Sequence, residues 1–323
     1  MKRILPALIL CCLVAGLCMA EAARVDPSIP AYHPVQGISG SLKSVGSDTM
    51  NNEMTLWAEG FRRFYPGVKI EIEGKGSSTA PPALTEGTAQ FGPMSREMKA
   101  EEIDRFEQKQ GHKPVAVRTS IDMLAVYVNK DNPLPCLSLQ QVDAIFSKTR
   151  RGGARKEITT WGDLGLTGEW ATHPISLYGR NSASGTYGFF KENALFKGDY
   201  KDSVKEQPGS SSVVQGVATD RYGIGYSGIG YSTADVRSVP LSVKPGGECE
   251  ATMPENAYEG RYPLARFLLL YLNRKPDAPL DPLRAEFLKY VLSREGQEAV
   301  VKDGYLPLPP RVLEEERARL DIK

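Results

Sequence analysis

Apolar and polar residues alternate along several short stretches of the 323-residue chain, and elsewhere they recur at helical spacing. Alternation predicts half-buried strands, whereas recurrence every three to four residues predicts amphipathic helices. The predicted strands lie at 41–45, 68–73, 115–129, 174–178 and 224–226. The predicted helices lie at 50–65, 81–85, 99–110, 139–146, 186–195, 213–219, 264–273, 282–292 and 294–303. Because strands and helices alternate, we expect an α/β fold with mostly parallel sheets and helices on both faces.

Residues 1–22 have the pattern of a secretory signal peptide. The chain begins with the basic sequence MKR, continues with an apolar stretch from Leu5 to Cys18, and then has small residues. The apolar stretch is shorter than the roughly 20 residues that span a membrane, which disfavours a transmembrane anchor. Lipidation at Cys18 is the other alternative, and Leu17 disfavours it because a small residue normally precedes a lipidated cysteine. We therefore expect soluble export, followed at 23–37 by a proline-rich extended arm.

Charge balance and the content of histidine and cysteine argue against several classes of protein function. Lys and Arg total 40 against 39 Asp and Glu, so the chain lacks the basic excess of a nucleic-acid-binding protein. The three histidines are scattered and no CxxC or HExxH pattern occurs, so neither a metal site nor a cofactor is expected. Cleavage after residue 22 leaves Cys136 and Cys249, which in an oxidising compartment either form a disulfide or remain two buried thiols.

Four segments place glycine and hydroxyl residues directly before a predicted helix. They are GSDT at 46–49, GSST at 76–79, SGT at 184–186 and GSSS at 209–212. Each alone is typical of an ordinary helix N-cap. Together they could converge on one anion, because a helix N-terminus presents N–H donors and partial positive charge.

Arg180 precedes the SGT segment by four residues and could add a forked contact to an oxyanion. The alternative is a surface arginine at the end of a strand. An enzymatic function is disfavoured, because the chain has no GxSxG or SxxK nucleophile pattern and no GxxxxGK[ST] loop. A serine nucleophile would also need a base that the three scattered histidines do not readily supply. Anion binding without catalysis is the prediction.

Seven segments, in chain order, resemble the PstS-type phosphate-binding proteins, the solute receptors of phosphate ABC transporters. They are GSDTMNNEMTLWAEGF, IEGKGSSTAPPALTEGTAQFGPMSREM, LSLQQVDAIFSKT, TTWGDLG, GRNSASGTYGFFKENAL, VVQGVATDRYGIGYSGIGY and EGRYPLARFLLLYLN. The resemblance covers about 41–304 and leaves out the arm. It implies a two-lobed, type II periplasmic-binding-protein fold with phosphate in the cleft between the lobes. We expect one lobe to combine 38–130 with 235–323, and the other to span 131–234.

The resemblance also implies which residues bind phosphate. The first loop contributes hydroxyls and the amide of Met50, the second loop contributes one serine, and Arg180 acts with the SGT segment. The predicted ligand set is Ser47, Asp48, Thr49, Met50, Ser77, Ser95, Arg180, Ser184, Gly185 and Thr186.

Two positions depart from the family pattern. Ser95 stands where relatives often have an aspartate that accepts a proton from phosphate and so rejects sulfate, and here Ser95 and Arg96 can donate instead. Ser182 stands where an aspartate often braces the binding arginine. Asp48 is the nearest candidate for a substitute acceptor, and the alternative role for it is helix capping.

The expected protein is a monomeric periplasmic receptor that passes phosphate to an ABC permease and its ATPase. Three alternatives stay open at this point. They are a receptor for another tetrahedral oxyanion such as sulfate or a phosphate ester, a secreted phosphatase or esterase on the same fold, and a surface protein that uses the arm.

Overall fold

The structure is a computed structural model that describes residues 23–276 and 278–322, so the predicted signal peptide lies outside the described residues. The strands are β1 Ser41–Val45, β2 Lys69–Glu73, β3 Gly92–Met94, β4 Val115–Asn129, β5 Leu137–Ser138, β6 Ser176–Arg180, β7 Lys205–Gln207, β8 Gly223–Gly228, β9 Val236–Ser238, β10 Leu241–Ser242 and β11 Ala265–Leu272. The helices are α1 Asn51–Phe64, α2 Ala80–Thr85, α3 Ala100–Gln110, α4 Leu139–Phe146, α5 Gly185–Asn193, α6 Ser210–Thr219, α7 Pro254–Tyr258, α8 Pro282–Val291, α9 Arg294–Lys302 and α10 Pro310–Leu320.

Seven strands form one mixed sheet in the order β3-β11-β4-β8-β6-β7, with β9 also paired to β4. The long strand β4 pairs antiparallel with β11 along 115–123 and antiparallel with β8 along 124–128. Two further strand pairs, β1 with β2 and β5 with β10, are parallel. The single strand β4 thus connects the group β3 and β11 with the group β6, β7, β8 and β9.

The α/β class is confirmed, but the pairing corrects the expectation of mostly parallel sheets. Strand β6 is parallel to β7 and β8, whereas β4 is antiparallel to β8, β9 and β11. Alternating strands and helices along the sequence are compatible with either direction. The direction of β4 is set by partners that lie far along the chain, and local periodicity carries no information about them.

The prediction of a helix at 264–273 is wrong, because this segment is strand β11. The run FLLLYL is apolar at every position, so it shows neither the period of a helix nor that of a half-buried strand. Strand β11 lies between β3 and β4, and five consecutive residues, 268–272, are buried. A strand buried on both faces has this continuous apolar pattern.

Helix α1 carries the first predicted anion loop at its N-terminus and packs on the C-terminal helices. Its buried residues Met54, Trp57, Ala58 and Phe61 recur at the spacing of one helix face. This face contacts α8 and α9, and the Trp57 indole donates to the carbonyl of Gly296 at 2.8 Å. Packing against two helices therefore holds the start of α1 in a fixed position.

The N-terminal arm lies against the same helices. Residues 23–40 contain no helix or strand, yet Ile29 and Tyr32 are buried. The Tyr32 hydroxyl donates to Glu286 Oε2 at 2.8 Å and also lies 2.8 Å from the Tyr65 hydroxyl. The arm therefore has no regular secondary structure and is held by buried contacts.

Cys136 and Cys249 form a disulfide across 113 residues of sequence. It lies beside the short parallel pair β5 and β10, whose residues 137–138 and 241–242 are buried. Of the two alternatives left open by the sequence, the structure has the disulfide.

Candidate functional site

Five hydroxyl side chains from distant parts of the chain meet in one buried group, which we name the hydroxyl cluster. It consists of Ser47, Thr49, Ser77, Ser95 and Thr186, none more than 1% exposed. The Thr49 and Thr186 oxygens lie 2.8 Å apart, and Ser47 Oγ lies 3.1 Å from Ser95 Oγ. Ser95 Oγ also lies 3.4 Å from Ser77 Oγ and 3.5 Å from Thr186 Oγ1. The cluster joins the loops before α1 and α2 to the first turn of α5.

The N-terminus of α5 faces this cluster. Ser184 is its N-cap, and its hydroxyl accepts hydrogen bonds from the amides of Thr186 at 3.1 Å and Tyr187 at 3.3 Å. Gly185 follows with no side chain, and a Cβ there would lie 2.2 Å from Ser77 Oγ and 2.6 Å from Ser95 Oγ. Glycine is required because two loops approach the α5 backbone closely.

The first loop is held by its backbone. The amide of Ser47 donates to the carbonyl of Pro93 at 2.7 Å. The Tyr305 hydroxyl donates to the carbonyl of Thr49 at 2.9 Å, and the Tyr231 hydroxyl donates to that of Asp48 at 2.9 Å. Met50 is the N-cap residue of α1 and is completely buried. These contacts fix where the loop directs its amides and hydroxyls.

Arg180 ends strand β6 and is 1% exposed, which excludes the alternative of a surface arginine. Its Nη1 donates to Ser210 Oγ at 2.6 Å, and its Nη2 lies 3.2 Å from both the Pro208 carbonyl and Asp48 Oδ2. Its Nε has no hydrogen-bond partner among the described residues. Burial lowers the pKa of Arg180, and the Asp48 carboxylate opposes that shift. One charged donor is therefore available to a ligand.

Asp48 does cap a helix, but not the one that follows it in sequence. Its Oδ2 accepts a hydrogen bond from the amide of Ser210, the first residue of α6, at 2.8 Å. The same oxygen pairs with Arg180. Ser182, where relatives often have a bracing aspartate, is exposed. Asp48 therefore braces the arginine from a loop that is distant in sequence.

At the departure from the family pattern at Ser95, the two neighbouring residues Ser95 and Arg96 have different contacts. Ser95 belongs to the hydroxyl cluster, and its amide donates to Ser77 Oγ at 3.1 Å. Arg96 instead pairs with the carboxylate of Glu102 through contacts of 2.8 and 2.7 Å. The expectation that Arg96 could donate at the site is wrong, because its guanidinium is engaged at the start of α3.

Sequence reasoning missed one charged residue beside the cluster. Arg266 on β11 is 7% exposed and donates to Thr186 Oγ1 at 2.9 Å and to the carbonyl of Ser95 at 2.6 Å. The sequence did contain a signal for Arg266, which is a single charged residue inside an apolar run. A buried arginine requires partners, so such a position indicates a specific contact. Tyr231 and Tyr305 were also missed. Ser210 lies in the GSSS segment that the sequence singled out, but it was not in the predicted ligand set. These residues contact the site through partners that are distant in sequence.

Residues 23–276 and 278–322 contain no group of three or more His, Cys, Asp or Glu side chains that could hold a metal ion. Within the same residues, no helix is long and apolar enough to span a membrane.

Comparison with known proteins gives matches along most of the chain. The sequence pattern of the PBP superfamily domain matches residues 32–295. The chain is 57% identical over 314 residues to the phosphate-binding protein PstS of Pseudomonas aeruginosa, covering 97% of each chain.

Solved structures agree with the sequence relatives. A putative phosphate ABC transporter substrate-binding protein from Clostridium perfringens, with bound phosphate, is 28% identical, with a TM-score of 0.70 over 84% of this chain and all of that one. An ABC-type phosphate transport receptor from Vibrio cholerae, 21% identical, shares the fold with a TM-score of 0.63 over 83% of this chain and all of that one. The two-lobed fold is thereby confirmed. The chain belongs to the PstS family of phosphate-binding proteins, within the PBP superfamily.

Proposed function

We propose that this protein is a periplasmic receptor that captures inorganic phosphate and delivers it to an ABC transporter. The observation that carries the proposal is Arg180, a buried arginine whose Nε has no acceptor within the described residues. A buried donor without a partner is costly unless a ligand satisfies it. The P. aeruginosa relative is named for phosphate binding, and the C. perfringens structure contains phosphate, which supports this choice of anion.

The proposed ligands combine one charge with many neutral donors. Arg180 supplies the charge, and the hydroxyl cluster supplies hydroxyls. The amides at the starts of α1 and α5, near Met50 and Gly185, add the partial positive charge of helix N-termini. Such a site can hold a dehydrated dianion in a protein of nearly zero net charge. Asp48 offsets part of the Arg180 charge, and its carboxylate is the proposed acceptor for a phosphate proton.

We assign 38–130 and 235–323 to one lobe and 131–234 to the other. Packing of α1 on α8 and α9 supports the first group, and packing of α6 on β6 and β8 supports the second. Contacts between the groups include Ser78, whose amide and hydroxyl both donate to the carbonyl of Ala183, at 3.1 and 3.0 Å. In this assignment the structure is the closed form, with the phosphate ligands brought together from both lobes.

Export and transport partners follow from the same proposal. Cleavage of residues 1–22 would release the mature receptor into the periplasm, where it acts as a monomer. The partners are an ABC permease and its ATPase, and the receptor itself catalyses no reaction. The relatives described above are named for binding and transport, which supports a receptor over a phosphatase or esterase.

A second candidate is a receptor for a different tetrahedral oxyanion, such as sulfate. The observation that favours it is Ser95, a hydroxyl in the hydroxyl cluster at the position where relatives often have the proton-accepting aspartate. A site that contains only donors does not distinguish sulfate from phosphate by protonation. Asp48 supplies a carboxylate nearby, so phosphate remains the first choice.

The experiment is calorimetric titration of the parent and of Arg180→Ala with phosphate and with sulfate. Loss of a buried charged partner should weaken phosphate binding by about 2–5 kcal/mol. Arg221→Ala is the matched control, because Arg221 pairs with the exposed Glu169 and should leave binding unchanged. Equal phosphate affinity in Arg180→Ala and the parent would refute the site, and tighter binding of sulfate would favour the second candidate.

A further inference from the structure

Arg266 is fixed within the sheet by a buried ion pair. It lies directly opposite Asp122 in the antiparallel register of β11 and β4. Its Nε and Nη2 lie 3.0 and 2.8 Å from Asp122 Oδ2, and both side chains are at most 3% exposed. Asp122 Oδ1 accepts a hydrogen bond from the amide of Ile229 at 3.0 Å. The ion pair itself thus lies between β4 and β11.

The other contacts of Arg266 reach the first two turns of α5. Nη2 donates to Thr186 Oγ1 at 2.9 Å, and the guanidinium carbon lies 4.9 Å from the centre of the Phe189 ring. A guanidinium over an aromatic face is attracted by the ring quadrupole. Nη1 donates to the carbonyl of Ser95 at 2.6 Å. One side chain therefore connects the sheet, the Ser95 backbone and the helix proposed to bind phosphate.

The bond from Arg266 determines what the Thr186 hydroxyl can do. A threonine hydroxyl has one proton to donate and two lone pairs to accept with. Because Arg266 has no acceptor, Thr186 must be the acceptor in that contact. The Thr186 proton is then directed elsewhere, and Thr49 Oγ1 at 2.8 Å and Ser95 Oγ at 3.5 Å are its neighbours. Both belong to the hydroxyl cluster, so the Thr186 proton, which the contact with Arg266 does not use, can be donated within the proposed anion site.

We infer that Arg266 is a positioning residue for phosphate binding, which orients the Thr186 hydroxyl as a donor and ties α5 to the sheet in the closed form. This inference rests on the proposed function. Asp122 balances the charge of Arg266, so the residue contributes orientation rather than net positive charge. In this role Arg266 acts through Thr186 and Phe189 and does not have to touch the anion.

The test is a double-mutant cycle on phosphate affinity, measured by calorimetry with Arg266→Gln, Thr186→Val and the double variant. Loss of a hydrogen bond to a charged group predicts about 10- to 100-fold weaker binding for Arg266→Gln. If Arg266 acts through Thr186, the phosphate affinity of the double variant should be about equal to that of whichever single variant binds phosphate more weakly. Small-angle X-ray scattering should also show less contraction with phosphate in Arg266→Gln than in the parent.

Arg118→Gln is the matched control. Arg118 lies on β4, pairs with Glu315 and Glu316, and stacks on Phe267. This variant should keep parental affinity and contraction, so a loss specific to Arg266 is not a general effect of removing an arginine from the sheet.

The outcomes separate this inference from the proposed function. A parent that does not bind phosphate refutes both. A parent that binds, with Arg180→Ala defective and Arg266→Gln unchanged, refutes only the role of Arg266. The role of Arg266 is also refuted if the double variant loses phosphate affinity by the product of the two single losses. Residues that act independently change the binding free energy additively. If circular dichroism shows Arg266→Gln unfolded, Arg266→Lys replaces it in the same cycle, since lysine keeps the charge beside Asp122 but cannot reach all the partners at once.

Discussion

Asp48 Oδ2 lies 3.2 Å from Arg180 Nη2, so a carboxylate at the start of α1 braces an arginine that is 132 positions further along the chain. The same oxygen accepts the Ser210 amide at the start of α6. An aspartate that braces the binding arginine from two residues away is common in the family, and Ser182 replaces it here. A carboxylate therefore still balances the charge of Arg180, but here it comes from another loop.

Asp48→Asn should change the selectivity of the site. The asparagine oxygen can still accept the Ser210 amide, but the charge opposite Arg180 is lost and an NH₂ donor is added. Phosphate binding should stay measurable, and sulfate affinity should rise relative to it, since an amide can donate to an unprotonated oxyanion that a carboxylate repels. Paired calorimetric titrations with phosphate and sulfate measure the ratio.

The control for this substitution is Asp202→Asn, which removes an exposed carboxylate paired with Lys148. It should leave both affinities unchanged. A phosphate-to-sulfate ratio that Asp48→Asn does not alter would limit Asp48 to bracing Arg180 and capping α6. The discriminating acceptor would then have to lie elsewhere, for example at the hydroxyl of Ser95.

Gly185→Ala should weaken phosphate binding by preventing closure. An added Cβ would lie 2.2 Å from Ser77 Oγ and 2.6 Å from Ser95 Oγ, and the clash exists only when α5 meets these loops. An overpacked contact typically costs about 1–3 kcal/mol, which corresponds to roughly 5- to 150-fold in affinity. The free energy of unfolding without phosphate should fall much less, because the open form relieves the clash.

Gly188→Ala in the same helix is the matched control. Its added Cβ would lie 3.2 Å from Cδ of Arg96, a flexible side chain that can move. Alanine also favours the helix over glycine by about 1 kcal/mol. Unchanged affinity in Gly188→Ala with a loss in Gly185→Ala would support closure as the cause. Parental affinity in Gly185→Ala would show that this contact does not accompany binding.

The parts of the fold that follow local rules could be predicted from the sequence. Helix α4 has the predicted bounds, Leu139–Phe146, and α1 begins and ends within one residue of its prediction. The glycine and hydroxyl loops before α1 and α5 were identified because cap residues and glycines act on neighbouring backbone. The long apolar segment at 265–272 was misassigned because a doubly buried strand and a buried helix show the same local pattern.

The parts of the site that depend on long-range pairing could not be predicted. Asp48 meets Ser210 because loops before two distant helices converge, and the Tyr305 hydroxyl meets the Thr49 carbonyl across 256 positions. Arg266 was assigned to a helix, and the register that sets it opposite Asp122 exists only in the sheet. Sequence identified the residue types suited to an anion, and the tertiary structure determines which of them meet.

Loss of the disulfide should destabilise the protein without abolishing phosphate binding. Cys136 and Cys249 close a loop across 113 residues, and removing a crosslink over a long loop typically costs about 2–5 kcal/mol. The disulfide lies beside β5 and β10, and neither cysteine has a hydrogen bond to a residue of the hydroxyl cluster. Urea denaturation of Cys136→Ser/Cys249→Ser, compared with the parent under oxidising and reducing conditions, measures the cost. Equal stability of the oxidised and reduced parent would contradict the prediction.

The free energy of unfolding should depend on pH because a carboxyl group is buried beside α1. Burial raises the pKa of Asp303 to about 7, and the negative charge of Asp122 adds to the shift, while Asn52 opposes it. Burial also raises the pKa of Glu53, which is completely buried on the first turn of α1. Folding thus favours the protonated acids.

The sign of the effect follows from proton binding. Between the unfolded pKa of aspartate, about 3.9, and the folded value near 7, the folded state binds more protons than the unfolded state. The free energy of unfolding therefore falls as pH rises.

Asp303→Asn imitates the protonated acid and removes this loss of stability. Its free energy of unfolding should match that of the parent near pH 4 and exceed it above pH 7 by on the order of 1–3 kcal/mol. Urea denaturation across this pH range measures the difference, with the exposed Asp104→Asn as control. A difference that is the same at every pH would show that Asp303 does not change its protonation in this range.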